Sequence, residues 1–555
     1  MIQYIQEALR VAQAYLPGVL VFFLIVRLVL NKYGKSLNSI PGPFLAGFTD
    51  LWRFFDALNR NPHETHIKLH QQTGSSLIRI GPRTVSVSDP ALIPKIYGLN
   101  SGFTKTKFYT LHMLSYNGQF TPSLFTTLDE GYHSKYKRPI ANAYSMSTMV
   151  DFEPLIDSTS ALFMSRLDEF VESRATFDLG QWLQMYAFDV IGEVVFSKRL
   201  GFLETRSDVD GIMADIRTKV SYGGTVGQIP FLDKLITKNP LFLALAPTHP
   251  VVKFTVERMK ERISARGQGI DDKRRDFLTR CFEAQSKYSD LVTDRIIRMW
   301  NIDNVLAGSD TTGISLRSIF YYLMKSPECM KKVIEELGHP EKAGQLSDFV
   351  TWKESNNLPY LQACIKEALR MHPAVGLLLE RYVPKGGVEL AGKYIPEGTI
   401  VGMNPWVAAR NKDVYGSDAE AFRPERWLEA SPEKLADMDR ASLTVNTPSY
   451  SFPTFTLHIL YRVHADISNQ FGHGARSCIG KNISMLEIAK LVPQLLRHYK
   501  VYFIWGLPWS KTLLHEFVSL TSIKFTFPSP DHRWKVRGGW FVGQDDFCVR
   551  IQRRT

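Results

Sequence analysis

The 555-residue chain is predicted to fold as a mainly α-helical α+β protein with small, segregated β-sheets, preceded by one membrane-crossing helix. Three observations carry this reading. Residues 151–324 show helical periodicity broken only by short loops, ending in a proline-free run from Ser289 to Lys325. The alternating, strand-like runs are short and stand apart from that region: SLIRIG and TVSVSD before Asp89, GVELAGKY at Gly387–Tyr394, and Thr399–Met403. The third observation is an apolar run at the N-terminus. Strands that do not alternate with helices argue against a doubly wound βαβ protein. No GxGxxG follows a strand and no GxxxxGK[ST] occurs, so phosphate cradles are unsupported.

Taken in order, Val11–Leu30 reads VAQAYLPGVLVFFLIVRLVL, apolar or neutral apart from Gln13 and Arg27. About 20 residues rising 1.5 Å each cross a hydrocarbon core of roughly 30 Å. Pro17-Gly18 is better tolerated in lipid than in a soluble helix, and Arg27 lies where its side chain can snorkel to the interface. Arg27, Lys32 and Lys35 form a basic cluster after the span, which places the remainder in the cytosol. The expected division is a membrane anchor over residues 1–35 and a single domain over 36–555. Ile40-Pro41-Gly42-Pro43 then forms a stiff elbow that would hold the domain at a set tilt.

With 44% hydrophobic and 22% charged residues the composition is globular, which excludes a disordered or multi-span chain. Five scattered cysteines without a CxxC pair argue against disulfides and structural zinc, and fit a reducing compartment. A net charge of +12 suits an acidic partner or anionic membrane; no nucleic-acid module is present, so nucleic acid is not expected as a partner.

Chemistry concentrates at residues 471–480, FGHGARSCIG, where Phe471, Gly474, Arg476, Cys478 and Gly480 fill the pattern FxxGxRxCxG. A lone cysteine here sits in a glycine-bearing turn just before the helical run KNISMLEIAKLV. The N–H groups and dipole of that helix favour a thiolate. This segment resembles the haem-ligand loop of the cytochrome P450 monooxygenases. The resemblance implies Cys478 as the axial ligand of haem b iron, whose thiolate favours O–O cleavage. Gly474 and Gly480 would let the backbone approach the macrocycle, and Arg476 would meet one of its carboxylates. Cys281, Cys329, Cys364 and Cys548 read as inert.

Further motifs agree with the resemblance. Glu367 and Arg370 form ExxR, both charges on one helical face, and Phe422-Arg-Pro-Glu-Arg426-Trp427 resembles the segment whose arginine joins that pair in a buried network. Ala307-Gly308-Ser309-Asp310-Thr311-Thr312 matches AGx[DE]T in the middle of the long helix, where small polar residues invite local distortion. Asp310 and Thr311 would be the catalytic acid–alcohol pair relaying protons, a role that needs solvent access beside a hydroxyl. The WxxxR helix appears altered, with His133 for tryptophan and Lys137 for arginine, both placed to meet haem propionates. His63, His66 and His70 (HETHIKLH) read as a surface face of a helix rather than a metal site.

In detail the chain is most similar to fungal microsomal members like pisatin demethylase, which commonly tailor secondary metabolites. The resemblance implies a P450 fold and insertion of one O2 oxygen into a lipophilic small molecule. Electrons would come from NADPH only indirectly, through a separate NADPH–cytochrome P450 reductase docking on Lys135, Lys137, Arg138 and Lys481. The anchor would sit in the endoplasmic reticulum membrane, single-pass, with the catalytic domain cytosolic. By position Asn304, Val305, Val375, Gly376, Leu377 and Leu378 should line the substrate pocket. A haem-thiolate isomerase or dehydratase, or a non-catalytic or inactive haem-binding membrane protein, stands as the alternative.

Two stretches depart from the family pattern. Val445–Gln470 separates MDRASLT from FGHG, which usually almost adjoin, and Val501–Lys524 separates LLRHYK from FTFPSPDHRW. Val445 and Gln470 are compatible with intron-end codons. Both stretches read as retained introns, a product of which could be inactive; real surface insertions are the other reading.

Overall fold

The computed structural model describes residues 2–245, 248–267, 275–441, 472–503 and 534–554. The first helix, α1 (Ile2–Tyr33), is longer than the apolar run at both ends, and Pro17 does not interrupt it. Gln13–Tyr33 is long and apolar enough to cross a membrane, and no part of it is buried against protein.

The elbow after α1 is held by a buried arginine. Arg79 lies in strand β1 (Leu77–Gly81), 2% exposed. Its guanidinium donates to the carbonyls of Asn31 (2.7 Å), Lys32 (2.9 Å) and Pro82 (2.9 Å) and to Asn38 Oδ1 (3.1 Å). The Arg79 amide donates to Pro41 O at 2.7 Å. Gly42 sits so close to the Arg79 carbonyl that a Cβ would collide with it. The expected set tilt therefore has a physical basis: the end of the anchor and the elbow are both pinned to the sheet.

That sheet has five strands. Besides β1 it contains β2 (Thr84–Val87), β3 (Thr104–Lys105), β4 (Arg381–Tyr382) and β5 (Ile400–Met403), in the order β1-β2-β5-β4-β3. The pairing of β5 with β2 is parallel; the others are antiparallel. Strands distant in sequence thus meet, which brings residue 381 beside residue 105. Gly387–Tyr394 is not one strand: Val388–Leu390 and Lys393–Ile395 pair as a hairpin, turned by Ala391 and Gly392 at positive φ.

Helix α2 (Glu130–Lys137) starts at Asp129, whose carboxylate accepts from the Tyr132 amide. The helical body includes α3 (Glu153–Ser173), α4 (Leu179–Phe196), α5 (Asp294–Lys325), α6 (Pro359–Met371) and α7 (Lys481–His498). The 32 residues of α5 make a rod of about 48 Å. It packs along α4 and also touches α6 and α7, and the largest apolar core forms around these helices. The expected distortion of α5 is absent. The helix runs unbroken, and the hydroxyls of Ser309, Thr311, Thr312 and Ser315 donate to carbonyls one turn back at 2.7–3.0 Å.

The histidine reading is corrected. His63, His66 and His70 share one face of helix Pro62–Thr73, as their spacing dictates, but that face is buried rather than exposed. His66 lies 3.1 Å from Asn404 Nδ2, and His70 bridges Ser75 O and Ser86 Oγ at 2.9 Å each. Desolvation lowers His63 to about 4 and His66 to about 3, so both are neutral. Residues 445–470 lie outside the described residues. Of the second stretch, Val501–Phe503 belongs to strand Tyr499–Phe503, paired with Cys548–Arg553; the rest lies outside the described residues.

Candidate functional site

Cys478 directly precedes α7, whose N-cap is Gly480. Its side chain is accessible, yet enough protein surrounds it that desolvation raises its thiol above the ordinary value. Accessible and enclosed together describe a sulfur facing a cleft. The amides of Gly480 and Lys481 point at it, and with Lys481 and Lys137 they oppose that rise. A Cβ at Gly480 would meet nothing within 4 Å, so space is open there. Gly474 serves a different neighbour from the one expected: at φ 68° it lies against the Tyr97 carbonyl, which a Cβ would strike. Phe471 lies outside the described residues. The remaining cysteines stay un-ionised, Cys548 with its thiol pushed up by burial to about 11.

A group of cations borders the cleft. Lys137 Nζ donates to Ala475 O at 3.0 Å, tying α2 to the cysteine loop. Lys105 is buried, donates to Phe125 O at 2.6 Å, and lies over the Tyr109 and Phe125 rings. Burial pushes its ammonium well below the usual value, and Arg381 and Arg476 act in the same direction. His133, lowered to about 3 by desolvation and then by Arg476, Lys137 and Lys105, is neutral among them. Arg381 donates to Tyr109 Oη at 3.1 Å.

Among the described residues no carboxylate forms an ion pair with Lys105, Lys137 or Arg381. Arg476, expected to meet a cofactor carboxylate, already pairs with Glu130 at 2.8 Å. Uncompensated positive charge in a protein interior is unfavourable, so these residues fit a bound dianion. A haem, with two propionates and an iron that a thiolate can hold, fits both the cation set and Cys478. Lys105 and Arg381 were not found from sequence. The signal for Arg381 was a charged Glu-Arg pair inside the apolar run LLLERYV; Lys105 had none.

Helix α5 presents an accessible stripe at four-residue spacing, Asp303, Ala307 and Thr311, while Asn304, Val305, Asp310 and Thr312 are buried. The acid and the alcohol therefore point apart. Thr311 Oγ1 donates to Ala307 O at 2.7 Å. Asp310 turns toward α4, where Gln184 Nε2 donates to it and Arg317 Nη2 donates to Gln184 Oε1 at 2.8 Å. Desolvation raises the Asp310 carboxyl against the lowering by Gln184 and Arg317. Solvent access at Asp310, expected from sequence, is not present.

The pocket expectation is corrected by one helical step. Val305 is fully buried in the core and Asn304 accepts from Tyr144 Oη at 2.8 Å; Asp303 and Leu306 line the open space instead. Leu377 and Leu378 line a separate small cavity with Arg53, Asp56, His66 and Glu380. Val375 forms an isolated bridge with Phe541.

The expected buried network is assembled. Glu367 Oε1 accepts from Arg370 Nη2 (2.8 Å), Arg426 Nε (2.9 Å) and the Arg423 amide (2.9 Å). Its Oε2 accepts from Arg370 Nε (2.9 Å) and Trp427 Nε1 (2.8 Å). Burial alone would raise this carboxyl, but the two guanidiniums outweigh it and hold it below its ordinary value.

The family model for cytochrome P450 matches residues 45–507. A cytochrome P450 monooxygenase of Aspergillus terreus is 42% identical over 486 residues, covering 86% of this chain and 93% of that protein. The cytochrome P450 monooxygenase cicH of Emericella nidulans is 40% identical over 537 residues, 96% of each chain. The cytochrome P450 monooxygenase mpaDE of Penicillium brevicompactum is 36% identical over 496 residues, 88% of this chain and 55% of the longer relative.

Proposed function

Because this chain belongs to the cytochrome P450 family, and is a haem-thiolate monooxygenase by that membership, we propose that it tailors a lipophilic intermediate of fungal secondary metabolism. The overall reaction takes R–H, O2, two electrons and two protons to R–OH and water. The electrons come from NADPH through a separate reductase, for which the exposed Lys135 and Arg138 beside Lys137 and Lys481 offer a basic docking face. The anchor Gln13–Tyr33 would sit in the endoplasmic reticulum membrane with the domain on the cytosolic side.

When bound, haem supplies dioxygen activation. Cys478 would hold the iron, its negative charge stabilised by the Gly480 and Lys481 amides and the start of α7. Lys105, Lys137 and Arg381 would orient the group through its propionates. Thr311 Oγ1, already donating to Ala307 O, keeps lone pairs free to accept a hydrogen bond. Asp310, whose burial favours the protonated form, would supply one by turning from Gln184 toward Thr311.

The observation that carries this reading is Cys478 facing the cleft at the N-terminus of α7. The test is the reduced, carbon monoxide-bound absorption spectrum of the full chain, with NADPH consumption measured in the presence of reductase. Cys478→Ser should abolish the thiolate signature and turnover. A variant with unchanged haem content, spectrum and turnover would refute it.

A further inference from the structure

A cleft lies between α5 and the segment 112–126, lined on the α5 side by Arg295, Arg298, Met299, Ile302, Asp303 and Leu306 and on the other by Ser123 and Thr126 among others. Most of this surface is apolar or carries a neutral hydroxyl. Asp303 is its one carboxyl group. On α5 it lies two turns before Thr311 on the same helical face, with Ala307 between them, and all three are at least partly accessible. Ser123 donates to it, and among the described residues no base forms an ion pair with it. A carboxyl group with one protein donor and no ion pair keeps capacity for a further hydrogen bond.

We propose that Asp303 is a specificity-determining residue that anchors a hydroxyl group, alcohol or phenol, of an elongated lipophilic substrate, presenting the opposite end to Thr311 and Cys478. The inference rests on the monooxygenase reading above and deepens it. A neutral hydroxyl suits the site better than an ammonium, because the charges around it are positive. Lys105 acts on Asp303 directly. Arg298 stacks on Tyr116 at 4.3 Å, and Arg295 donates to Thr121 Oγ1 at 2.7 Å at the cleft wall. Burial raises the Asp303 carboxyl to about 7 against the lowering by Ser123 and Lys105. Near neutrality it therefore both donates to and accepts from a hydroxyl. Eight residues of helix separate Asp303 from Thr311, about 12 Å of rise. The anchored oxygen and the attacked carbon should accordingly lie on the order of 10 Å apart.

The test uses the haem-loaded full chain and a matched pair of probes, 6-phenylhexan-1-ol and its methyl ether, which differ in the hydroxyl donor. Equilibrium dialysis should give about tenfold tighter binding of the alcohol, in line with one hydrogen bond to a carboxylate. Asp303→Ala should reduce that ratio to near one while leaving ether binding unchanged, and Asp303→Asn should keep part of it. With reductase and NADPH, wild-type product should carry its new oxygen at the phenyl end. Equal binding of the two probes, a ratio that survives in Asp303→Ala, or oxidation beside the hydroxyl would each overturn the inference. The carbon monoxide spectrum is read on the same samples. Its loss in wild type would overturn the monooxygenase reading, whereas an intact spectrum with no probe discrimination overturns only the role of Asp303.

Discussion

Replacing Glu367 by glutamine changes one oxygen to NH2 at a site that accepts five hydrogen bonds, all of 2.8–2.9 Å. The shape is preserved and the charge removed. Arg370 and Arg426, both almost fully buried, would then face a neutral partner whose amide nitrogen opposes their own donors. Removing one member of a buried pair costs about 3–5 kcal/mol, because the remaining charge is left uncompensated. Two features pull the value toward the lower end. Arg370 keeps the carbonyls of Ala409, Ala419 and Ala421, and Arg426 keeps Asp418 at 3.1 Å.

The expected loss for Glu367→Gln is therefore about 3 kcal/mol, a large share of the roughly 5–15 kcal/mol by which proteins are stable. Urea titration of wild type and variant, purified in the same detergent, gives the difference directly. A loss under about 1 kcal/mol would refute the reasoning. Glu367→Met combined with Arg370→Met and Arg426→Leu should recover part of the loss, since no charge is then stranded. Failure to recover any would assign the effect to packing instead.

Thr311→Ala should leave haem content unchanged but lower product formed per NADPH consumed several-fold; an unchanged ratio argues against a proton role for that hydroxyl. Lys105→Met removes one cation facing the predicted propionates, so haem should dissociate faster into excess apomyoglobin, with unchanged transfer contradicting the assignment. Acid should destabilise the protein: His66, His112 and His372 are lowered by burial to about 3, 4 and 3. Above pH 6.5 their contribution is complete; below it the unfolded chain takes up protons that the folded chain refuses. Asp56, raised by burial to about 6, acts oppositely and offsets part of this. From pH 6.5 to 5.5 these four groups alone give a loss of about 2 kcal/mol, so the thermal midpoint should fall, and a rise would contradict the account. Transcript reads should lack the codons for residues 445–470 and 501–524; reads spanning both intact would remove the intron proposal.

Motifs whose chemistry depends on local spacing were legible in the sequence. The turn holding Cys478, the i, i+3 pair Glu367 and Arg370, and the long helix α5 each follow from periodicity or from a fixed pattern. What sequence reasoning missed depends on which way a helix turns and on which distant strands meet. Asn304 was expected to line the pocket where Asp303 does, because one residue on a helix is a rotation of about 100° and nothing local fixes the zero of that rotation. The histidines of HETHIKLH were placed on one face correctly and assigned the wrong environment, since only the tertiary partner decides whether a polar face is wet or packed. Lys105 and Arg381 became neighbours through the pairing of β3 with β4, strands far apart in the sequence.

The arginine that fastens the end of α1 to β1 has a mechanical meaning for a protein in lipid. Because Arg79 grips the last turn of the rod and Pro41 grips Arg79 in return, the rod and the globular body have no free swivel between them. Any lean imposed on the rod, by bilayer thickness or by crowding from neighbouring proteins, is handed to the body as a rotation. If α1 crosses a membrane as proposed, the angle at which the molecule rides on it is set from inside the protein, by carbonyl oxygens and one guanidinium.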